Sequence, residues 1–301
     1  MVADPAPLRL HEDVALFREA VRFTAARTRF VPRLIEKDYF CSLILQQLAT
    51  GAPDLVFRGG TCLAKVHLGF YRLSEDLDFL VSAPVEATRA QRSQRAAPLR
   101  AVVGGLEDQV PGLRVIIPLR GANASRQYAA TLGYRSLLAD VEERVEIEIG
   151  LREPLLTPAV NGAAKTLLLD PVSGSASLPD VTVQCLSHDE AMAEKLRAAL
   201  SRRDVAIRDF YDVDHAVRQL DFRIDDAVLT LVRRKLAVPG NDPVDVSAAR
   251  LASLRQQLKA ELRPVLRDPD VAEFDLNRAF TSVARVAAAL GHPVELPPGA
   301  E

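Results

Sequence analysis

The sequence predicts an α+β fold, in which a mixed sheet is flanked by helices and followed by a helical C-terminal domain. Three observations predict it. Apolar residues recur at three- and four-residue steps over 11–29 and 32–49, which is the period of amphipathic helices. Residues 127–135 and 144–151 are strand candidates, and in the second stretch apolar and polar residues alternate, as in a strand with one buried face. Beyond residue 186 the pattern is helical again.

The remaining elements follow in chain order. Pro32 stands in the first turn of the second helix, where its missing N–H is not needed. Ser187 and Glu190 have the spacing of a capping box and indicate where a C-terminal helix begins. The other predicted elements are strands at 54–57, at 113–119 and at 181–185, a strand ending at Leu80, and helices over 61–68, 84–109, 225–236, 246–263 and 271–290.

The composition is that of an ordinary globular protein, with 48% apolar and 26% charged residues among 301. We find neither a run of eighteen apolar residues nor a secretory leader, so we expect a cytoplasmic protein with no membrane span. The formal net charge of −2 gives no overall attraction for nucleic acid, and RNA binding would need a local basic patch. The oligomeric state is not determined by the sequence.

The cysteines and the connection 152–180 argue against a disulfide framework, a zinc site and a P-loop. The cysteines, Cys41, Cys62 and Cys185, are odd in number and widely spaced, so we interpret them as small buried residues and not as disulfide or zinc ligands. The connection 152–180 is rich in Pro, Gly, Ser and Ala, and we predict two domains, 1–175 and 181–301. Its N-G-A-A-K-T segment is not a P-loop, because alanine stands where that loop needs glycine.

The most informative stretch runs from Phe57 to Leu80 and reads F-R-G-G-T-C-L-A-K-V-H-L-G-F-Y-R-L-S-E-D-L-D-F-L. Side chains alternate along a strand, so Ser74, Asp76 and Asp78 are expected to share one face. Two carboxylates held close together repel each other unless a cation lies between them, and hard oxygen ligands favour Mg²⁺ or Mn²⁺. The D-x-D spacing therefore predicts a metal site, although an exposed strand face carries the same pattern.

A phosphate site is predicted directly upstream of the two aspartates. Gly59 and Gly60 allow the backbone to approach a ligand closely, and Thr61 can cap the following helix, whose free N–H groups attract an anion. Lys65 lies one turn further on the same helix face. It either reaches a phosphate or is an ordinary surface lysine.

Together, G-G-T and L-S-E-D-L-D resemble the first motif of the nucleotidyltransferase superfamily in the form found in the AbiEii/AbiGii toxin family, which includes the MenT-type toxins. The earlier I-E-K-D-Y-F segment also resembles this family, although its charges, Glu36 to Asp38, are equally well explained as solvated. The resemblance implies a nucleotidyltransferase-type mixed sheet, a Mg²⁺-dependent enzyme, an NTP substrate and a cognate antitoxin.

The family places a third carboxylate on a strand beside the D-x-D pair, and E-I-G-L-R-E resembles that pattern best when the acid is Glu148. Metal ligands would then be Asp76, Asp78 and Glu148. Glu146 shares the strand face and remains the second choice. The competing interpretation is an acidic row that faces water.

The segment A-E-K-L-R, which is followed by R-D-F-Y-D, resembles a second signature of the same family. It implies that Lys195 offsets the charge of the departing phosphates and that Asp209 and Asp212, which share a helix face, position Lys195 or a sugar hydroxyl. We predict Asp76, Asp78, Lys195 and Asp212 as catalytic. The predicted nucleotide-binding residues are Gly59, Gly60, Thr61, Ser74, Lys65 and Asp209.

If the likeness to MenT-type members holds, the enzyme transfers a nucleoside monophosphate to RNA, at the 3′ end of tRNA, and so blocks translation and growth. Its RNA-contacting residues would be Arg202 and Arg203 with Arg233, Arg234 and Lys235, unless these are solvated helix charges. The alternatives are nucleotidyl transfer to a protein hydroxyl or to a small molecule such as an antibiotic, and a non-catalytic nucleotide-binding module. Phosphorylation of Ser74 would add negative charge to the predicted metal site and inhibit it.

Overall fold

A computed structural model describes residues 9–294. Seven strands form one mixed sheet, and their bounds are β1 (Val56–Arg58), β2 (Leu77–Leu80), β3 (Leu113–Ala122), β4 (Gln127–Arg135), β5 (Glu142–Gly150), β6 (Val160–Ala164) and β7 (Val181–Cys185). Their order across the sheet is β3-β4-β5-β2-β1-β7-β6. The predicted mixed sheet is confirmed.

Most of the predicted helices are present close to their predicted positions. They are α1 (Val14–Thr28), α2 (Pro32–Gly51), α3 (Gly59–Cys62), α4 (Arg89–Gly104), α5 (Leu106–Gln109), α6 (His188–Ser201), α7 (Ile207–Gln219), α8 (Asp226–Leu236), α9 (Ala248–Gln257), α10 (Asp268–Glu273) and α11 (Leu276–Ala289). Helix α3 continues as a π-helical turn over Leu63–His67. Helix α6 begins as predicted, because the Ser187 hydroxyl accepts the N–H of Glu190.

The centre of the sheet places the acidic strand between two partners. Strand β2 pairs antiparallel with β1, so that Arg58 lies opposite Asp78. On its other side β2 pairs parallel with β5, and Asp78 lies opposite Glu148. Residues opposite one another on adjacent strands point to the same face of a sheet. The register therefore puts an arginine and two carboxylates side by side.

Helix α2 is buried on nearly every side, since it packs against the sheet, α1, α4 and α5. Three of its charged residues, Glu36, Lys37 and Asp38, are buried with it. Glu36 accepts hydrogen bonds from the Ser136 hydroxyl and the Leu137 N–H, and so holds the turn between β4 and β5. Lys37 pairs with Glu75 at 2.9 Å. The interpretation that these three charges are solvated is wrong, because the side chains are buried and each one is paired within the protein.

Three predicted boundaries differ from the structure. Strand β2 begins at Leu77, so Ser74 and Asp76 precede it in irregular backbone. The connection 152–180 contains β6, a five-residue edge strand that the pattern missed because only its last residue is buried. The helix predicted over 271–290 is two helices, α10 and α11, which are separated where Asp275 caps the second one.

The hydrophobic core is continuous from the sheet into the C-terminal helices. Phe57 and Ile147 of the sheet and Phe210 and Phe280 of the helices belong to one buried cluster. Strand β7, which was predicted within the C-terminal domain, lies in the sheet beside β1, so the helical part begins at His188. The division into two domains stays a prediction.

Within residues 9–294 we find no helix with the length and hydropathy needed to cross a bilayer. The C-terminal segment H-P-V-E-L-P-P-G-A-E, whose pattern predicts a frayed tail, lies mostly outside the described residues, which end at residue 294.

Candidate active site

A cleft of about 1380 Å³ lies between the centre of the sheet and helices α6 and α7. It brings together most of the residues predicted from the sequence. The predicted residues that line it are Gly59, Gly60, Ser74, Asp76, Asp78, Glu148, Lys195 and Asp209.

The glycine turn is shaped so that no side chain fits on it. Gly59 has φ of +74°, and a Cβ there would lie 2.3 Å from Oδ2 of Asp78. A Cβ on Gly60 would lie 2.4 Å from an Nη atom of Arg72. Both glycines are therefore required by close approach of the backbone to charged side chains. The N–H groups of this turn begin helix α3 at the floor of the cleft.

Asp78 is a carboxyl group in the cleft whose pKa is clearly raised. Burial raises its pKa to about 6, with Glu148 and Asp76 adding to the effect while Arg58 and Lys195 oppose it. Burial also raises the pKa of Asp76. Carboxylates that are held together with raised pKa values would be relieved by a bound cation, so the donor set fits a hard divalent ion.

The carboxylates do not yet converge on one point. Among residues 9–294, the group of three potential ligands whose donor atoms all lie within 4.8 Å of one another is elsewhere in the molecule. Asp76, Asp78 and Glu148 would therefore turn toward one another to hold a single ion.

The register separates the two candidates for the third carboxylate. Glu148 is half-buried, lines the cleft and lies opposite Asp78. Glu146 is exposed, accepts a hydrogen bond of 2.9 Å from the Thr131 hydroxyl, and does not line the cleft. The geometry therefore favours Glu148.

On the helical wall of the cleft, Lys195 is held by two carboxylates. Its Nζ lies 2.8 Å from Oδ1 of Asp209 and 2.9 Å from Oδ2 of Asp212. Burial by itself would lower the pKa of Lys195, but Asp209 and Asp212 raise it above its ordinary value. The ammonium group is consequently charged at neutral pH. An ammonium has three N–H donors, so one of them is left for a ligand in the cleft.

Asp209 and Asp212 differ in their access to the cleft. Asp212 is fully buried and does not line it, so of its two predicted roles it can position Lys195, but its side chain does not reach a ligand in the cleft. Asp209 lines the cleft, and its Oδ2 is buried without a hydrogen-bond partner among the described residues. The closest cation to that oxygen among the ion pairs is Arg202 at 3.8 Å. This oxygen is suited to accept a hydrogen bond from a ligand hydroxyl.

Arg72 was missed by the sequence analysis, although it precedes the acidic motif by two residues. It is 2% exposed and lines the cleft beneath Gly60. Its Nε and Nη2 donate to the two oxygens of Asp212, at 2.5 and 2.8 Å, and the Tyr71 hydroxyl donates to the same carboxylate at 2.6 Å. Asp212 therefore joins Arg72 and Lys195, which both line the cleft. A buried carboxylate needs partners of this kind, but the sequence does not show which residues they are.

Arg58 was also missed. It lines the cleft, donates to Oε1 of Glu194 at 2.8 Å and to the Phe79 carbonyl, and lies beside Asp78. Its position directly before the G-G-T motif is the sequence signal that would have identified it.

Two predicted phosphate ligands lie away from the cleft. Thr61 does not cap a helix, because α3 already begins at Gly59; its hydroxyl donates to the Asp76 carbonyl and holds that backbone in place. Lys65 is 1% exposed, and its Nζ lies 2.7 Å from both Oδ1 of Asp38 and the Ser42 hydroxyl. Lys65 is thus part of the core, and the prediction that it reaches a phosphate is corrected.

Arginines surround the rim of the cleft. Besides Arg58 and Arg72, the arginines that line it are Arg126, Arg152, Arg197, Arg202, Arg203 and Arg208. The other part of the predicted basic patch behaves differently. Arg233 and Arg234 are exposed outside the cleft, and Lys235 is fully buried with its Nζ 2.8 Å from Oε1 of Glu190. Lys235 is therefore not an RNA contact.

Comparison with known proteins agrees with this arrangement. The family model described as the nucleotidyl transferase AbiEii toxin of type IV toxin–antitoxin systems matches residues 43–285. We find no match among curated proteins. Among solved structures, the chain is similar to MenT4, a nucleotidyltransferase toxin from Mycobacterium tuberculosis H37Rv, at 20% identity and a TM-score of 0.54, with 91% of this chain and 98% of that one covered. It is also similar to JHP933 from Helicobacter pylori at 14% identity and a TM-score of 0.52, with 87% and 93% covered.

Proposed function

Because the chain belongs to the AbiEii family of nucleotidyl transferase toxins of type IV toxin–antitoxin systems, we propose that it transfers a nucleoside monophosphate from an NTP to a hydroxyl of RNA, at the 3′ end of tRNA. The observation that carries the proposal is the meeting of Gly59, Asp78 and Glu148 at the floor of one cleft that Lys195 closes from the other side. Modification of that tRNA end would prevent aminoacylation and stop growth.

We further propose that Asp76, Asp78 and Glu148 hold Mg²⁺ or Mn²⁺ together with the NTP. Their oxygen donors and the raised pKa of Asp78 support this assignment. When bound, the ion neutralises the triphosphate charge and makes an incoming hydroxyl more acidic. The chain's own part is to keep Asp78 in place, which the Gly59 turn and the strand pairing do.

The triphosphate rests on the Gly59–Gly60 turn in this proposal, with the side chain of Lys195 above it. The acceptor oxygen forms a bond to the α-phosphorus as the bond from that phosphorus to the bridging oxygen breaks, and pyrophosphate leaves. The hydroxyl proton is lost to the surrounding solvent. Lys195 donates a hydrogen bond to the departing phosphates, and it stays charged because Asp209 and Asp212 hold it. Oδ2 of Asp209 accepts a hydrogen bond from a sugar hydroxyl.

The arginine rim supports a polyanionic acceptor. Arg202 and Arg203 line the cleft and are exposed, and Arg208 lines it and is half-buried. Guanidinium groups bind phosphate in two-pronged geometry. A net charge of −2 gives the chain no general affinity for nucleic acid, so this local rim would carry the attraction. A cognate antitoxin would have to block the cleft or modify it.

The test incubates the purified protein with total tRNA and each labelled NTP in turn, with Mg²⁺ present. We expect label to enter tRNA and to require an intact 3′ end, and we expect Asp78→Ala to abolish it. Parallel reactions receive a protein extract or a set of small-molecule hydroxyl acceptors instead of tRNA. Label in either of those pools alone would overturn the RNA assignment but keep the nucleotidyltransferase. No label in any pool, with growth inhibition retained in Asp78→Ala, would indicate a binding module.

A further inference from the structure

A second cluster of metal-binding side chains lies behind the glycine turn, outside the cleft. Cys62, His67 and Cys185 each offer one donor atom, and these atoms all lie within 4.8 Å of one another. Both cysteines are free and fully buried, while His67 is half-buried and opens the cluster toward solvent. Two thiols and an imidazole form the donor set that Zn²⁺ prefers, and it differs from the oxygen donors of the cleft.

The helix that carries Cys62 is distorted so that the cluster can form. Cys62 and His67 are five residues apart, a spacing that places side chains on different sides of an α-helix. Here the chain makes a π-helical turn over Leu63–His67, and the Leu68 N–H bonds to the Leu63 carbonyl five residues back. A π-turn brings residues five apart to the same side, and such turns are frequent at functional sites. The distortion is what places the imidazole beside the thiol.

The imidazole is held as metal-bound histidines usually are. Nε2 of His67 lies 3.0 Å from the Leu186 carbonyl, which fixes Nε2 as the nitrogen that carries the proton. The lone pair of Nδ1 is then free to bind a cation. Metal-ligating histidines almost always donate their other ring N–H to a carbonyl or carboxylate in this way.

Space for the sulfur is provided by the neighbouring edge strand. A Cβ on Gly162 of β6 would lie 2.8 Å from Sγ of Cys185, so glycine leaves room beside the thiol. A further imidazole is also close: the ring centroids of His188 and His67 are 5.6 Å apart, and Nε2 of His188 is buried without a hydrogen-bond partner among the described residues. A side-chain rotation would bring His188 toward the cluster.

We propose that Cys62, His67 and Cys185 form a binding site for Zn²⁺, with His188 or a water molecule as the fourth ligand. Binding releases the two thiol protons, and no bond is oxidised or reduced. The ion would join the helix of the glycine turn to β7, the strand beside β1. Its role is to stabilise the floor of the cleft, and it is independent of the ion proposed for Asp76, Asp78 and Glu148.

The test titrates the full-length protein with Co²⁺ under reducing conditions, after chelation and with excess Mg²⁺ to occupy the carboxylates. We expect about one Co²⁺ per chain, with the thiolate charge-transfer and visible bands of a tetrahedral site, and we expect Zn²⁺ to displace it. The variant Cys62→Ser/Cys185→Ser should lose these bands. Cys41→Ala, which removes the third buried cysteine, should keep them, and Asp78→Ala should also keep them.

A second variant guards against misfolding of the double mutant. His67→Gln changes a half-buried side chain, and it should weaken Co²⁺ binding by more than the roughly 10–100-fold that loss of an outer partner costs. His188→Ala distinguishes the two fourth ligands: the bands shift if the imidazole binds and stay the same if water does. Absence of thiolate bands in the folded wild-type chain, equal binding by the double variant, or a Cys62–Cys185 disulfide in the reduced sample would overturn the proposal.

Discussion

Gly59 lies so close to Asp78 that a side chain at position 59 would collide with the Asp78 carboxylate. A Cβ at position 59 would lie 2.3 Å from Oδ2 and 2.9 Å from Cβ of Asp78. The glycine turn and the acidic strand are therefore packed directly against each other, although Gly59 and Asp78 are nineteen positions apart along the chain. Movement of either one displaces the other.

The first prediction compares two glycines with a similar left-handed backbone conformation. Gly59 and Gly69 have φ of +74° and +64°, but a Cβ on Gly69 would meet nothing within 4 Å. Gly59→Ala and Gly69→Ala should each lower the free energy of unfolding by about 1 kcal/mol through this strain. Only Gly59→Ala should also displace Asp78 and abolish NTP binding, measured by calorimetry. Equal NTP affinity in the two variants would contradict the close-contact argument.

The second prediction separates the two candidate acids on β5. Glu148→Gln should lower nucleotidyl transfer by about 100-fold or more, because it removes a metal ligand from the cleft. Glu146→Gln is the matched control, one alternation away on the same strand, and should keep activity within about twofold. The measurement is labelled nucleotide incorporation at saturating Mg²⁺. Loss of activity in both variants would indicate that the strand as a whole, and not Glu148, is sensitive.

The third prediction concerns Asp78 and pH. Burial raises its pKa to about 6 in the folded chain, above the ordinary value of 3.8, so the folded state binds this proton more tightly than the unfolded state. The stability from that proton is fully present below pH 3.8 and is lost as the pH rises through about 6. Asp78→Asn should therefore raise the free energy of unfolding by about 3 kcal/mol at neutral pH, and change it little under acid conditions.

Metal binding should show the same group with the opposite sign. Ligands bind the ion when they are ionised, so Mn²⁺ affinity of the wild-type chain should fall by about tenfold per pH unit below the pKa of Asp78. Paramagnetic resonance of free Mn²⁺ gives this affinity directly. An affinity that does not change between neutral pH and about one unit below that pKa would remove Asp78 from the ligand set.

The fourth prediction contrasts Lys65, which is buried in the core, with Lys195, which lines the cleft. Lys65→Met leaves Asp38 buried and unpaired and should lower the free energy of unfolding by about 3–5 kcal/mol. Transfer activity per folded molecule should stay close to that of the wild type. Lys195→Met should instead lower activity by about 100-fold or more, since it removes a donor from the cleft. Denaturant titration and initial rates on the same preparations separate the two effects.

The fifth prediction concerns the arginine rim. Arg202→Ala/Arg203→Ala removes two cations from the cleft and should reduce the slope of log affinity for tRNA against log salt by about 1.4. Arg233→Ala/Arg234→Ala removes two exposed cations outside the cleft and should leave the slope unchanged. Filter binding over a range of salt concentrations measures both. A larger effect of the second pair would place RNA on helix α8.

Ser74 offers a separate route to inhibition. It lines the cleft with Asp76 and Asp78, so a phosphate on it would add about two negative charges beside the proposed ion. Ser74→Glu should therefore abolish Mn²⁺ and NTP binding, while Ser74→Ala should keep both. Mass spectrometry of the protein inhibited by its antitoxin tests whether this modification is used; an unmodified Ser74 there would contradict it.

Much of the site was predictable because its signals are local. The paired glycines, the D-x-D spacing and the alternation of β5 lie within short stretches, and a strand's period assigns side chains to faces without knowledge of its neighbours. The cap of helix α6 is likewise set by one residue and the three that follow it. Family resemblance then added Lys195, whose helix carries no chemical signal by itself.

The residues that the sequence left undecided depend on contacts between distant segments. Arg72 and Asp212 are separated by 140 positions, and Lys65 and Asp38 by 27, so no periodicity reveals that they pair. The same holds for Cys62 and Cys185, which looked like unrelated buried cysteines until β7 was placed beside β1.

The sequence by itself determined which faces carry charge, where the backbone must bend, and that a glycine turn precedes two carboxylates. Only the tertiary structure decided which charges meet. The physical reason is that burial and strand register, and not spacing along the chain, select the partner of each charge: Glu148 was placed opposite Asp78, Lys195 was aimed into the cleft, and Lys65 was enclosed in the core.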